Sequence, residues 1–233
     1  MIVVSGFTSC LEDLKIQSPF LEGLRPAEVD DVLAAATWRH FRANTVLTRQ
    51  GAPANHLYML VEGRARYFVE THNGQKLLLM WVVPGGMIGG GAVTLKMLNY
   101  AASTETVRDS TLLCWDRRVV RELVTRHPRL LDNALSIAAD YMTWSIETLV
   151  RLSSNTAAER LAHVLSGLAR IIGRAVPEGL ELDVTNEELA SAANITLYTT
   201  SRLLSRWQKH NLVRKRRGRI IVGSPEKLLA SAC

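Results

Sequence analysis

Cysteine is scarce in this chain: Cys10, Cys114 and Cys233 are its only thiols, and they lie far apart. An odd, dispersed set builds no disulfide framework, and without a C-x-x-C or Cys/His spacing it builds no zinc finger. A reducing cytoplasm is the expected compartment. Long apolar runs are missing too. Leu77 to Leu95 is a stretch of 19 residues without a charge, close to the roughly 20 that cross a bilayer as a helix. Pro84-Gly85-Gly86 and Gly89-Gly90-Gly91 cut it into pieces too short to cross, so it reads as buried strands joined by turns. The first residues show no basic region followed by a long apolar stretch, so neither a signal peptide nor a membrane partner is expected. Metal-ligand spacing is likewise missing. His40, His56 and His72 form no HxH or HxxxH pattern, which leaves a metal-dependent enzyme as a remote alternative, with no catalytic or metal-binding residue to name.

What is present is enough apolar residue for real cores and enough length for two small domains: 233 residues, 47% of them hydrophobic. The net charge of +6 is unevenly placed. Residues 1–154 hold 16 Lys/Arg against 15 Asp/Glu, whereas residues 155–233 hold 12 against 7. Basicity gathered at one end points to a polyanion partner there, with a solvated basic face as the other reading.

A helical pattern runs over residues 19–36, with Phe20, Leu21, Leu24, Val29, Val32 and Leu33 as its apolar positions. Beyond Trp38 the signal changes to short strands and Gly-rich turns: Val46-Leu47-Thr48, Leu57 to Val61, and a hairpin of Arg64 to Thr71 and Gln75 to Val83 around Asn73-Gly74. Further strands are expected around 101–107 and 111–115. Strands this short and this closely spaced predict a small antiparallel roll or barrel. From Pro128 the pattern is helical. Leu131, Leu135, Ala138, Met142, Ser145, Leu149 and Leu152 follow alternating steps of four and three, a heptad seam that two parallel helices can bury between them. The same face could instead pack on its own domain. The dimer seam is favoured because a helix joining two domains has little else to pack on. Ser145 is a polar intruder that either sets register or touches a ligand at the interface. Ser153-Ser154-Asn155-Thr156 ends this helix and caps the next, over about 157–173. The expected division is therefore 1–127, 128–154 and 155–233.

Residues 180–222 carry the sharpest signal. A strand from Leu180 to Val184 leads to Thr185 and Glu188, which form a capping box and start a helix. Leu189, Ala192 and Ala193 face inward, Asn194 sits at a tight turn, and Ile195 plugs the angle. Thr196 caps a second helix reaching about His210, with Leu203, Leu204 and Trp207 inward. Two short helices, a tight turn and an apolar plug describe a helix-turn-helix. Thr196, Leu197, Tyr198, Thr200, Ser201 and Arg202 at the start of the second helix are the candidate base-reading group. Arg202 is suited to bidentate bonding with guanine. Arg206, Lys209, Arg214, Lys215, Arg216, Arg217 and Arg219 are suited to phosphates, and Arg214 to Val222 reads as a hairpin wing turning at Gly218.

Gly51-x6-Tyr58-Met59-Leu60-Val61-Glu62-Gly63 in the roll, and Thr185-x2-Glu188-Leu189-Ala190 through Ser201-Arg202-Leu203-Leu204 in the DNA module, resemble the cyclic-AMP receptor protein/fumarate-nitrate regulator (CRP/FNR) family over nearly the whole chain. The resemblance implies an α+β fold: an antiparallel β-roll like a cyclic-nucleotide-binding domain, a long dimerisation helix and a C-terminal winged helix-turn-helix. It implies a bacterial transcription regulator and not an enzyme, binding a two-half-site DNA operator as a homodimer, with RNA polymerase as a further partner of an activator. Two departures stand out. Tyr198 occupies the place of the family's base-contacting Glu, with Leu197 before it in place of a basic residue, so the operator should differ in part. In the effector site the resemblance points to Gly89, Gly90, Gly91, Ala92, Tyr100 and Ala101, with Tyr141 and Ser145 of the long helix. Gly89-Gly90-Gly91-Ala92 stands where a Gly-Glu would hold a ribose, and Asn99-Tyr100-Ala101-Ala102 where an Arg-Ser pair would hold a cyclic phosphate. A desolvated phosphate without a cation is poorly held, so cyclic AMP is not expected in the family's mode. An iron–sulfur cluster is not expected with Cys10 alone near the N-terminus. The effector is then unknown or absent. A haem sensor is the alternative, with Met87, Met97 and His72 in the general region. The Gly-rich loop is either a backbone cradle for a small anion or simply a tight turn.

Overall fold

The computed structural model describes residues 17–72, 74, 76–216 and 218–232. Cys10, Asn73 of the predicted turn, Gln75, Arg217 of the wing and Cys233 lie outside the described residues. The chain divides into two compact units, one formed by Met1–Asn73 and Met80–Trp144, the other by Gly74–Leu79 and Ser145–Cys233.

In the first unit the helical pattern of residues 19–36 splits in two. A 3-10 turn, Pro19–Leu21, precedes α1, Pro26–Ala34. Gly23 between them has φ +70°, and a Cβ there would collide with the Arg129 guanidinium. Pro26 then starts α1 where its missing N–H does no harm. Eight strands follow: β1 Thr37–Phe41, β2 Val46–Thr48, β3 His56–Glu62, β4 Ala65–Glu70, β5 Lys76–Val82, β6 Met87–Ile88, β7 Ser103–Thr106 and β8 Ser110–Asp116. They form two four-stranded sheets in the orders β1-β8-β3-β6 and β2-β7-β4-β5. Two helices complete the unit's elements: α2, Arg117–Arg126, and α3, Arg129–Ser154, which runs on into the second unit. β1 and α2 have no counterpart among the predicted elements, whereas β6 falls within the strands and turns read over residues 77–95.

Alternation along the central strands builds two cores. Leu57, Met59 and Val61 of β3 join Leu113 and Trp115 of β8 against Val32, Leu33, Val120, Leu123 and Leu130 of the helices. Tyr58, Leu60, Leu112 and Cys114, on the other face, close with Ala65, Val82 and Ile88 inside the roll. The Trp115 indole N–H donates to the Val32 carbonyl at 2.8 Å, so this buried side chain leaves no polar atom stranded.

The second unit carries α4, Ala157–Ile172, then β9 Arg174–Val176, β10 Gly179–Leu182, α5 Asn186–Ala193, α6 Leu197–Lys209, β11 Val213–Arg216, β12 Arg219–Val222 and α7 Pro225–Ala230. The sheet order is β11-β12-β10-β9. The cap Thr156 pairs reciprocally with Glu159 to start α4. Leu161 and Leu165 of α4, Leu182, Leu189, Leu204, Trp207, Val222 and Leu228 are buried in this unit.

Asp31 of α1 ties the first unit's helices together. His127 Nε2 lies 2.7 Å from Asp31 Oδ2, and Arg126 Nη1 donates to Oδ1 at 2.8 Å. The Asp31 carboxyl is held below its ordinary value of 3.8, chiefly by the His127 hydrogen bond, against the opposing pull of burial and with Arg126 helping. Because folding lowers this pKa, the tie stabilises the folded state above the ordinary value and is lost as pH falls through the lowered one. Asp31→Asn should therefore lower the melting temperature at neutral pH and flatten its decline between about pH 5 and pH 2. Thermal unfolding across that range measures it, and parallel acid limbs in the two proteins would remove Asp31 from the account.

Candidate functional site

The helix-turn-helix is assembled from local signals that the structure realises. Thr185 accepts from the Glu188 N–H at 3.1 Å, and the Glu188 carboxylate accepts from the Thr185 N–H at 2.6 Å, starting α5. Asn194 ends it in the left-handed region at φ +49°. The Thr196 hydroxyl then accepts from the Thr199 N–H at 3.1 Å, starting α6. An additional restraint comes from α4. Arg160 donates to the carbonyls of Asn155 at 2.7 Å, Ala193 at 2.9 Å and Asn194 at 3.4 Å. The guanidinium thus fixes both the start of α4 and the turn between α5 and α6.

On α6, Leu203, Leu204 and Trp207 are buried, while Leu197, Tyr198, Arg202, Ser205, Arg206 and Lys209 lie on the solvent side. Tyr198 is 75% exposed and Leu197 48%. The exposed group is a stripe at helical spacing, with an apolar pair at the N-terminal end and cations further along. Ser201 is half-buried beside it. Thr200 corrects the predicted base-reading group: it is fully buried, and its hydroxyl donates to the Thr196 carbonyl at 3.1 Å, so it faces the core and not a groove.

The wing divides its cations between two faces. Lys215 points to α6, where its ammonium donates to the Ser205 hydroxyl at 3.0 Å and the Ser201 carbonyl at 3.4 Å. Arg214, Arg216 and Arg219 stand on the opposite face, because Arg214 alternates with Lys215 and Arg216 pairs with Arg219 in the β11–β12 register. There they meet Glu178 and Glu181, two carboxylates with no place in the predicted site. Only strand register brings residues so distant in sequence together. Gly218 supplies the wing turn at φ +68°.

The residues marked for an effector lie in the first unit, apart from Ser145. Gly89 has φ +87°, and a Cβ there would strike the His56 carbonyl and the Tyr100 ring. Gly90–Val93 form a 3-10 turn with Ala92 buried. The loop's outer carbonyls are clamped by α2: Arg117 donates to Thr94 O at 2.7 Å and Leu95 O at 2.8 Å, and Arg121 to Val93 O at 2.9 Å. The Tyr100 hydroxyl is engaged with the backbone of His56, accepting from its N–H and donating to its carbonyl, each at 3.1 Å. Ala101 is exposed. Tyr141 of α3 donates to the Met87 carbonyl at 2.7 Å and packs against Tyr67 at 5.9 Å between ring centres. Burial raises the pKa values of Tyr58, Tyr100 and Tyr141, so all three phenols are neutral hydrogen-bonding groups near pH 7. The Met87 side chain packs in the helix-side core, its sulfur 3.8 Å from the Ser18 hydroxyl. Met97 is exposed on the loop's outer surface. Among the described residues no three or more His, Cys, Asp or Glu side chains gather as metal ligands, and no helix is long and apolar enough to cross a membrane.

The long helix α3 has apolar side chains on two sides. Leu130, Ala134 and Ile137 pack into the roll's helix-side core, and Asn133 donates to the Phe20 and Glu22 carbonyls, both at 2.9 Å. The other side exposes Leu131, Leu135, Ala138, Met142 and Leu149, with Leu135 and Met142 each 62% accessible, while Ser145 and Leu152 are half-buried.

A roll of this topology followed by a winged helix-turn-helix defines a DNA-binding transcription regulator with a sensor-type domain. Residues 38–127 match the cyclic nucleotide-binding domain and residues 159–231 the Crp-like helix-turn-helix domain. The chain belongs to the CRP/FNR family of transcription regulators. It is 29% identical over 199 residues to the cyclic AMP receptor protein of Thermus thermophilus, covering 84% of this chain and 88% of that one. It is 26% identical over 219 residues to the nitrogen fixation regulation protein FixK of Rhizobium meliloti, covering 94% and 96%. Its fold matches the structure of FixK2 from Bradyrhizobium japonicum with a TM-score of 0.73 at 18% identity, over 83% of this chain and 95% of that one.

The Arg160 clamp makes a direct test of how the reading head is held. Arg160→Ala should lower the stability of the second unit by about 1.5–3 kcal/mol, the range for hydrogen bonds from a charged donor. Urea unfolding measures this, and an unchanged midpoint would show that the turn holds its shape without the guanidinium.

Proposed function

We infer that the protein acts as a homodimer on a DNA operator of two half-sites, as a regulator and not as an enzyme. The observation that carries this reading is the exposed α6 stripe of Leu197, Tyr198, Arg202, Arg206 and Lys209, set on a rigidly capped helix. With α6 in the major groove, Arg202 bonds guanine O6 and N7, Leu197 packs on a thymine methyl, and Tyr198 and Ser201 donate to neighbouring acceptors. The Thr196 hydroxyl is committed to capping α6 and serves the interface by fixing that helix. Arg206 and Lys209 take phosphates, which place the protein in register without reading sequence. The cytoplasm is the compartment of such a partner, and where the protein activates, RNA polymerase is a second one.

The dimer interface in this reading is the exposed side of α3. Seven positions at heptad spacing suit a parallel pair of helices, with Ser145 as the polar member of the seam. Two copies joined this way present two recognition helices to half-sites about 34 Å apart, one turn of DNA.

The effector site does not fit cyclic AMP held by the family's residues. Gly90 and Gly91 offer no carboxylate to a ribose, the Tyr100 phenol is already bonded to the His56 backbone, and Ala101 has no group for a phosphate. An effector, where one exists, is of another class, and neither an iron–sulfur cluster nor haem forms part of this reading.

Selection of bound duplexes from a random pool yields the operator. On it, Arg202→Ala should lose about 1–3 kcal/mol of affinity per half-site, with relaxed preference at one base pair in each. Equal affinity and selectivity would remove Arg202 from the readout. Replacing Leu135 and Met142 together by Asp should give a monomer in sedimentation equilibrium with weakened operator binding. A dimer of unchanged strength would place the interface elsewhere.

A further inference from the structure

The outer face of the wing sheet carries four arginines and two glutamates. Across the β9–β10–β12–β11 register, Arg174 stands opposite Glu181, Glu181 opposite Ile221, and Ile221 opposite Arg214, while Arg216 stands opposite Arg219. Opposed residues share a face, and so do residues two apart on one strand, so these side chains all lie on the side away from Lys215 and α6. Glu181 accepts from Arg174 at 2.8 Å and Arg219 at 3.0 Å, with Arg216 at 3.7 Å. Glu178 accepts from Arg216 at 3.0 Å, with Arg214 at 4.0 Å. The Glu181 side chain is 7% exposed, whereas its arginine partners are half-exposed or more.

We propose that Glu178 and Glu181 act as specificity-determining residues that hold the wing arginines away from DNA phosphates and so limit sequence-independent binding. The inference rests on the DNA-binding reading above. A carboxylate and a phosphate offer a guanidinium the same kind of planar, charge-assisted bonding. Arg216 and Arg219 flank the wing turn, the part of a winged helix-turn-helix nearest the backbone of bound DNA. To bond a phosphate with its full fork of donors, each must give up a carboxylate. The exchange replaces one charged partner by another, so it adds little affinity and releases few counterions. Base contacts by α6 are untouched, and the ratio of specific to non-specific binding is kept high.

The probe is a 30-base-pair duplex of random sequence, titrated with the full chain over a range of potassium chloride concentrations. Glu178→Gln should bind it about threefold or more tightly at low salt and steepen the logarithmic salt dependence by about 0.9 per protomer, the value for one additional phosphate. Glu181→Gln should do the same through Arg219, and the double variant should add the two. Because the released arginines already reach solvent, the fold should survive, and melting temperature checks it. Glu178→Gln, at the more exposed carboxylate, serves if the Glu181 variant fails to fold. Glu226→Gln removes an equal charge from a carboxylate bonded to Ser224 and should leave the salt slope as in the wild type. A wild-type slope in folded Glu178→Gln protein overturns the proposal. So does an equal steepening in Glu226→Gln, since the effect would then be net charge alone. If the wild type binds no duplex at low salt, the DNA-binding reading itself has failed.

Discussion

A helix with apolar side chains on two sides can bury just one of them against its own domain, and that constraint shapes much of this molecule. α3 seats Leu130, Ala134 and Ile137 in the roll, leaving Leu131, Leu135, Met142 and Leu149 in solvent. Fully burying a leucine contributes roughly 1.5–3 kcal/mol, and Leu131, Leu135 and Leu149, 37%, 62% and 57% accessible, forgo part of it. The row is also too regular for scattered surface residues, which need no partner of their own. In the proposed dimer, pairing with a second copy answers the constraint and, in the same step, doubles the reading head. The same helix carries Tyr141 to the Met87 carbonyl of β6, so one element links the strand that leads into the Gly-rich loop to the proposed dimer seam.

Arginine is the other recurrent device. Arg117 and Arg121 hold the carbonyls of the Gly-rich loop, Arg160 holds the helix-turn-helix, and Arg174, Arg216 and Arg219 hold Glu181. A guanidinium suits this work because its fork of donors engages several acceptors at once and its charge does not titrate near neutrality. The consequence is that the basic balance of residues 155–233 is not a measure of their phosphate contacts. Much of that charge is internal to the fold, and what faces outward on α6 is a smaller set: Arg202, Arg206 and Lys209.

That distinction explains what could be read in the sequence and what could not. The caps at Thr156 and Thr185, the left-handed Asn194 and the turn at Gly218 are signals within four residues of their effect, and all were legible. The exposed apolar row on α3 was legible because periodicity alone specifies which residues share a side. Thr200 was misplaced because its neighbours Ser201 and Arg202 do lie toward solvent, and one position along a helix turns a side chain by about 100°. The partners of Arg216 and Arg219 were illegible for a different reason. They depend on the register of β10 against β12, and Glu181 lies 38 residues from Arg219. α2 escaped notice because its charged residues outnumber its apolar ones, although Val120, Leu123 and Val124 keep helical spacing.

The Gly-rich loop of residues 89–100 is restrained along its whole length. Its turn at Gly89 admits no side chain, its carbonyls from Val93 to Leu95 are held by α2, and its far end is tied to His56 through Tyr100. A loop with every one of these restraints supplied from within the chain has little conformational entropy left for a ligand to remove. In the proposed regulator a ligand there would shift an equilibrium only by its differential affinity for two states, and a loop this restrained offers little room for a second one.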